Sequence, residues 1–234
     1  MRVLLDIKRC KGPADTPYRQ VIPFETEDPA ATVATALLAI NSDPDVKDID
    51  GKIVEPIMFE PGCLQKKCGG CAMRINKIPR LACEAKLSEF KSGKILLEPL
   101  RKFPLVSDLC VDRSIMRENL STVKSFLPEN VSGKVDDTSG FAFDASLCLQ
   151  CGLCLEVCPN FYAGSKFTGT ASAVPLARLL EESRGDKSVR QEYREHVFEG
   201  CGKSLACHDV CPAGIDTLSV LVHSSGIANW GRTK

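Results

Sequence analysis

Apolar and polar residues alternate weakly from Met1 to Lys8, with Val3, Leu5 and Ile7 on one side, and Gln20 to Phe24 offers a second short extended run. Lys11-Gly12-Pro13 between them is a turn signal, so the pair reads as a β-hairpin. After Asp28-Pro29 the period lengthens. Val33, Ala36, Leu37 and Ile40 recur at helical spacing, and proline suits a first helical turn, which predicts one helix from Asp28 ending near Asn41. Ile57 to Phe59, Ala72 to Ile75 and Lys94 to Leu97 supply further strand candidates. A strand-rich unit crossed by one helix over residues 1–103 predicts a β-grasp domain.

Beyond Phe103 the strand signals fade. Ser107 to Leu127 is mostly helical in pattern and precedes a loop through Pro128, Gly133, Asp136-Asp137 and Ser139-Gly140. Pro175 to Arg184 sets Leu176, Leu179 and Leu180 on one stripe, Asp186 to Phe198 continues as a charged helix, and Asp216 to Val222 offers another. The expected fold class is therefore α+β, with a β-grasp domain over 1–103 and a mainly helical domain over 104–234. A chain of 234 residues, at roughly 100–200 per domain, leaves little room for a third.

Lys plus Arg equals Asp plus Glu at 30 each, so charge gives no bias toward an anionic surface, and no nucleic-acid partner is expected. Met1 to Cys10 lacks a long apolar core and a small-residue cleavage site, and the near-apolar run Ala30 to Ile40 falls far short of a span of about 20 residues. The chain is expected to be soluble by itself and cytosolic.

The thirteen cysteines change the picture from fold to chemistry. Cys63, Cys68, Cys71 and Cys83 read C-x4-C-x2-C with a fourth cysteine further on, the spacing of a plant-type [2Fe-2S] centre. Cys148, Cys151, Cys154 and Cys158-Pro159 form the bacterial ferredoxin run C-x2-C-x2-C-x3-C-P, answered downstream by Cys201, Cys207 and Cys211-Pro212. A disulfide framework needs a secreted context and fits poorly with cysteines two residues apart in one tight run. Structural zinc uses well-separated pairs, whereas Cys148, Cys151 and Cys154 would share a middle residue. Both metals accept soft thiolates, so spacing decides for iron and sulfide.

A cluster carries net negative charge, so its loop must aim backbone N–H groups at sulfur and keep side chains clear. Gly62, Gly69 and Gly70 suit that need, and the small Ala72 and Ala82 leave room beside Cys71 and Cys83. In two-cluster ferredoxins the fourth cysteine of each run ligates the other cluster, which assigns Cys211 to Cys148, Cys151 and Cys154 in a [4Fe-4S] centre. Cys158 correspondingly joins Cys201 and Cys207, where the grid expects a ligand at position 204 and the chain has Ser204. A hydroxyl is a poor ligand at neutral pH, so the expectation is [3Fe-4S], the alternative being a fourth iron held by Ser204. Cys10 and Cys110 have no partner at ligand spacing and read as small buried residues or inert thiols. His208, beside Cys207, could tune a cluster or simply pack.

The order of motifs resembles the iron-sulfur subunit of succinate dehydrogenase and fumarate reductase over nearly the whole length. The most specific pieces are Cys63-Leu64-Gln65-Lys66-Lys67-Cys68-Gly69-Gly70-Cys71-Ala72-Met73, Leu81-Ala82-Cys83, Phe103-Pro104-Leu105-Val106-Ser107-Asp108-Leu109 leading into Asp112, and the paired C-terminal cysteine runs. The resemblance implies a [2Fe-2S], [4Fe-4S], [3Fe-4S] relay docked on a flavoprotein that binds FAD and the dicarboxylate. It also implies a membrane anchor subunit with quinone, and a peripheral place on the cytoplasmic side of the cell membrane. The [2Fe-2S] domain would face the flavin, and the centre of Cys158, Cys201 and Cys207 would face the quinone, with Pro159, Asn160, Tyr162, His223 and Ser225 on that side.

This far end departs from quinone-using members, which often carry tryptophans after the cysteine corresponding to Cys158. Here Pro159-Asn160-Phe161-Tyr162-Ala163 follow. Such members also tend to have a basic residue where this chain has Ser225, with His223 nearby as a substitute. The reading favours menaquinol-linked fumarate reduction. A relay fed by thiols or a soluble carrier is the runner-up, and a hydratase using an open iron site is a remote alternative. Replacing Ser204 by Cys is expected to change the oxidised-state paramagnetic signal by completing a four-thiolate set; an unchanged signal would count against a vacancy at that corner.

Overall fold

The computed structural model describes residues 1–126, 140–182 and 186–231, and the chain divides into two compact units, Met1–Asp112 and Arg113–Lys234. In the first unit β1 (Arg2–Arg9) and β2 (Tyr18–Glu25) form the expected hairpin, with Arg2 opposite Glu25 and Arg9 opposite Tyr18. They belong to a five-stranded sheet of order β2-β1-β5-β3-β4, where β3 is Ala72–Ile75, β4 Ile78–Leu81 and β5 Lys94–Glu98. β1 and β5 run parallel, with Leu5 opposite Ile95, and the other pairings are antiparallel. Leu5, Ile7, Ile95 and Leu97 are completely buried, each contributing about 1.5–3 kcal/mol of apolar burial.

Helix α1 (Val33–Ser42) begins later than the Asp28-Pro29 signal suggested. Thr32 and Thr35 exchange hydrogen bonds in a capping box, Thr35 N–H donating to Thr32 Oγ1 at 3.2 Å and Thr32 N–H to Thr35 Oγ1 at 2.7 Å. Ile57–Phe59 is not a strand. Asn41 meets Ile57 on both sides, its Nδ2 donating to Ile57 O at 2.8 Å and its Oδ1 accepting Ile57 N–H at 2.7 Å, so a side chain replaces the ladder there. Strand β4 was hidden by Pro79, which is tolerated because β4 is an edge strand paired only with β3.

The segment after Phe103, expected in the second domain, folds with the first unit. Leu105–Ser107 (β6) and Cys110–Val111 (β7) form a small ribbon, and the helix α2 covers only Ser114–Thr122 of the stretch read as helical. The reason is Asp108, which lies almost fully buried against Arg9. Its Oδ1 accepts Arg9 Nε at 3.0 Å and Cys10 N–H at 2.9 Å, and its Oδ2 accepts Met58 N–H at 3.0 Å. Arg9 is completed by Gln20 Oε1 and the carbonyls of Glu55 and Pro56. This network ties the first strand to residues about a hundred positions away.

The second unit is helical: α3 (Phe141–Ser146), α4 (Leu153–Val157), α5 (Thr170–Glu182), α6 (Lys187–Tyr193) running into a π-helical turn over Arg194–Phe198, α7 (Ala206–Asp209) and α8 (Thr217–Trp230). Helix α5 starts five residues before the expected Pro175, which lies inside it, and α8 continues past Val222. Leu127, the loop from Pro128 to Ser139, and Arg184 fall outside the described residues. One apolar core joins Leu176, Leu180, Tyr193, Val197 and Ile227 with Cys207, and Cys154 and Cys201 pack against it. A second joins Ala145, Val174, Ala177, Ile215 and Val220, with Cys148 and Cys211 against it.

Removing the Asp108 carboxylate by Asp108→Ala strands a buried guanidinium, and urea unfolding is expected to show a loss of about 3–5 kcal/mol. Replacing both partners, Arg9→Met with Asp108→Leu, should recover most of it; a single variant as stable as the parent would contradict this role.

Candidate functional site

The loop from Cys63 to Cys71 turns its backbone inward. Leu64, Lys66 and Gly69 hold positive φ angles of 57°, 57° and 72°, and alternation of this kind points successive N–H groups to one side. Gln65 and Lys67 N–H donate to Cys63 Sγ at 3.3 and 3.2 Å, and Cys63 and Gly70 N–H donate to Cys68 Sγ at 3.3 and 3.4 Å. Lys66 N–H donates to Cys83 Sγ at 3.3 Å, and Cys83 N–H to Cys71 Sγ at 3.4 Å. Each of the four sulfurs thus meets a backbone donor. A Cβ on Gly62 would stand 2.7 Å from Cys68 Sγ, so that position admits only glycine without displacement.

The fourth cysteine is positioned by α1. Val33 and Ala34, at the helix start, donate their otherwise unpaired N–H groups to Ala85 O at 2.9 Å and Ala82 O at 3.0 Å, on either side of Cys83. Ala82 N–H donates to Cys71 O, closing the segment onto the loop. The two Gln65 and Lys67 amides hold the Cys63 thiol down to about 7, whereas burial pushes Cys71 up to about 12.

In the helical unit, Cys148, Cys151, Cys154 and Cys211 line one apolar cavity with Ile215 and Thr217. Burial drives the Cys154 thiol well above its ordinary value, with Cys151, Cys148, Cys207 and Cys211 adding to it, and takes Cys151 up to about 11. Cys201 is raised by burial, then by Cys158 and Cys207, so those three form a second neighbourhood. Thr217 Oγ1 lies 3.6 Å from Cys207 Sγ, and Gln150 Nε2 3.2 Å from Cys148 Sγ. Non-glycine residues Gln150, Lys203 and Leu205 sit at positive φ in these loops, at about 1–3 kcal/mol each.

Among the described residues no three His, Cys, Asp or Glu side chains close to the spacing of a single metal ion; the thiols ring a cavity instead. The donor set fits a cluster. Buried thiols of this kind keep their protons until a cationic centre replaces them, so loading releases protons. Cys10 is buried, its Sγ donating to Gly12 O at 3.0 Å. Ser204 is exposed between Lys203 and Leu205.

The five residues expected on the acceptor side have different surroundings. Pro159 and Tyr162 are exposed, Asn160 donates to Gly200 O at 2.8 Å, and His223 bonds the buried Glu181. Only Ser225 lines a cavity of about 350 Å³ that reaches Cys201. Its walls are Val197, Leu218, Leu221, Val222 and Trp230, and its polar groups are Lys203, Ser225 and the Tyr193 hydroxyl, which lies 3.5 Å from Ser225 Oγ. Lys203 Nζ stands 5.5 Å from the Phe198 ring centroid, a cation held over an aromatic face. Sequence reasoning missed Gln150, Tyr193 and Lys203; the position of Lys203 two residues after Cys201 was the available signal.

A β-grasp unit with four thiols that each accept backbone N–H groups, followed by a helical unit with two cysteine groups, defines a multi-cluster electron-transfer protein. A family model for a 2Fe-2S iron-sulfur cluster binding domain matches residues 4–118, and one for a 4Fe-4S dicluster domain matches residues 144–215. The chain is 36% identical over 215 residues to the succinate dehydrogenase iron-sulfur subunit of Bacillus subtilis, covering 86% of this chain and 82% of the relative. It is 29% identical over 213 residues to the fumarate reductase iron-sulfur subunit of Wolinella succinogenes, covering 84% of each. A solved structure of the Mycobacterium smegmatis Sdh1 complex in the apo form shares the fold, with a TM-score of 0.77 and 20% identity over 97% of this chain and 95% of that one. The chain belongs to the family of succinate dehydrogenase and fumarate reductase iron-sulfur subunits, oxidoreductase components that transfer electrons.

In the cluster-free chain Cys63 is expected to be alkylated first by iodoacetamide. Its rate should rise through about pH 7 as the thiolate forms, whereas Cys71 should stay slow to pH 10 and beyond. Equal rates at Cys63 and Cys71, read by peptide mass mapping, would contradict the donor geometry.

Proposed function

We propose that this subunit relays single electrons between a quinone pool and a partner flavoprotein that binds FAD and fumarate or succinate, in the direction menaquinol to fumarate. Cys63, Cys68, Cys71 and Cys83 hold [2Fe-2S] in the first unit. In the second, Cys148, Cys151, Cys154 and Cys211 hold [4Fe-4S], and Cys158, Cys201 and Cys207 hold [3Fe-4S]. When bound, the clusters supply one-electron stations between two reactions that each move two electrons. The chain's own residues do the rest: thiolates ligate, amides offset the charge on sulfur, and apolar cores exclude water from the buried sulfurs.

The observation that carries the quinone end is the cavity beside Cys201. Its apolar walls suit a flat hydrophobic ring, while Lys203 and Ser225 offer polar groups to oxygens at the ring edge. Oxidation of a quinol there releases two electrons and two protons, which balances reduction of fumarate to succinate on the flavoprotein. Among the described residues no helix is long and apolar enough to cross a membrane, so attachment to the cytoplasmic face falls to anchor subunits.

The test is fumarate reduction by the native complex purified through this chain, comparing a menaquinol analogue with thiol donors under anaerobic conditions. Quinol is expected to turn over faster, and Leu218→Trp, which fills the cavity, should cut the quinol rate about tenfold relative to the reduced-viologen rate of the same preparation. Turnover with thiols or a soluble carrier alone would sink the quinone site.

A further inference from the structure

Pro175 is the sixth residue of α5, where proline removes the N–H that would reach the carbonyl four residues back. That carbonyl is Ala171 O, and it accepts instead from Gln150 Nε2 at 3.0 Å. The same amide nitrogen lies 3.2 Å from Cys148 Sγ. Both hydrogens of the amide are thus engaged with acceptors. Turning the amide over would set Oε1 against a sulfur and a carbonyl, so the network fixes its orientation.

Gln150 incurs two costs for this placement. Its backbone is held at φ 50°, in the left-handed region, and Oε1 is buried with no hydrogen-bond partner among the described residues. An apolar residue of similar length would avoid the second cost, of about 1–3 kcal/mol, so packing alone does not select glutamine here. A hydrogen bond to a ligating sulfur stabilises the more negative, reduced state, and such bonds are among the determinants of cluster potential.

We propose that Gln150 raises the reduction potential of the centre held by Cys148, Cys151, Cys154 and Cys211, and that Pro175 locks it in place by leaving the Ala171 carbonyl without its helical donor. Gln150 is a positioning and tuning residue that acts through Cys148, and the inference rests on the ligand assignment proposed above. The proline and the glutamine form one device: a break in the α5 ladder supplies the second acceptor that holds the donor on the sulfur.

The experiment is a redox titration of the intact complex followed by paramagnetic resonance, with the other two centres as internal references. Gln150→Met keeps length and removes the donor. At a fixed poise its reduced-to-oxidised ratio at this centre is expected to fall about tenfold, a shift of about 59 mV for one electron. Pro175→Ala returns a backbone donor to Ala171 and leaves Gln150 in place, and it should move the same potential part of the way in the same direction. An unchanged potential in Gln150→Met with the signal intact overturns the proposal. If that variant fails to assemble the centre, Pro175→Ala decides, and an unchanged potential there overturns it equally. Absence of a [4Fe-4S] signal from the unaltered complex would overturn the ligand assignment, and this inference with it.

Discussion

Burying anionic sulfur is the constraint on which the rest of this structure depends. A thiolate moved into an apolar core loses its hydration, and the high proton affinities of Cys71, Cys151 and Cys154 record that loss. A metal centre offsets most of the charge, and oriented donors offset what remains. In the first unit backbone amides do this almost alone, because the loop from Cys63 to Cys71 is wound so that its N–H groups converge. In the second unit the cysteines sit against helical cores, where the backbone N–H groups of Gln150, Leu153 and Lys203 meet Cys148, Cys151 and Cys201, and the side chains of Thr217 and Gln150 add to them.

The surrounding fold follows from holding these loops still. Helix α1 uses its unpaired N-terminal amides to clasp the residues on both sides of Cys83, so the helix is as much a part of the site as of the core. Arg9 and Asp108 fasten the end of the first unit to its first strand, which keeps the segment after Phe103 from joining the helical unit. Left-handed backbone at Leu64, Lys66, Gln150, Lys203 and Leu205 places local strain in the cysteine loops themselves.

Much of this was legible in the sequence, for physical reasons that differ by element. Strands β1, β2, β3 and β5 and the helix α1 carry their own period, and the thiol groupings follow from fixed spacings between cysteines. What escaped depends on partners distant in the chain. Ile57–Phe59 has the composition of a strand, but Asn41 takes its hydrogen bonds; Pro79 looks like a break but lies on an edge; Pro175 looks like a start, yet its missing donor is answered by Gln150. At the far end, His223 was a reasonable basic candidate by position, but it is engaged with Glu181, and the cation in the cavity is Lys203 on the cysteine loop.

The central claim is that three chemically different clusters share one chain. Mössbauer spectroscopy of the native complex enriched in iron-57 tests it most directly. The account expects separate [2Fe-2S], [4Fe-4S] and [3Fe-4S] components in equal amounts per chain. A spectrum with two equivalent four-iron centres, or with iron in isolated tetrahedral sites, would contradict it.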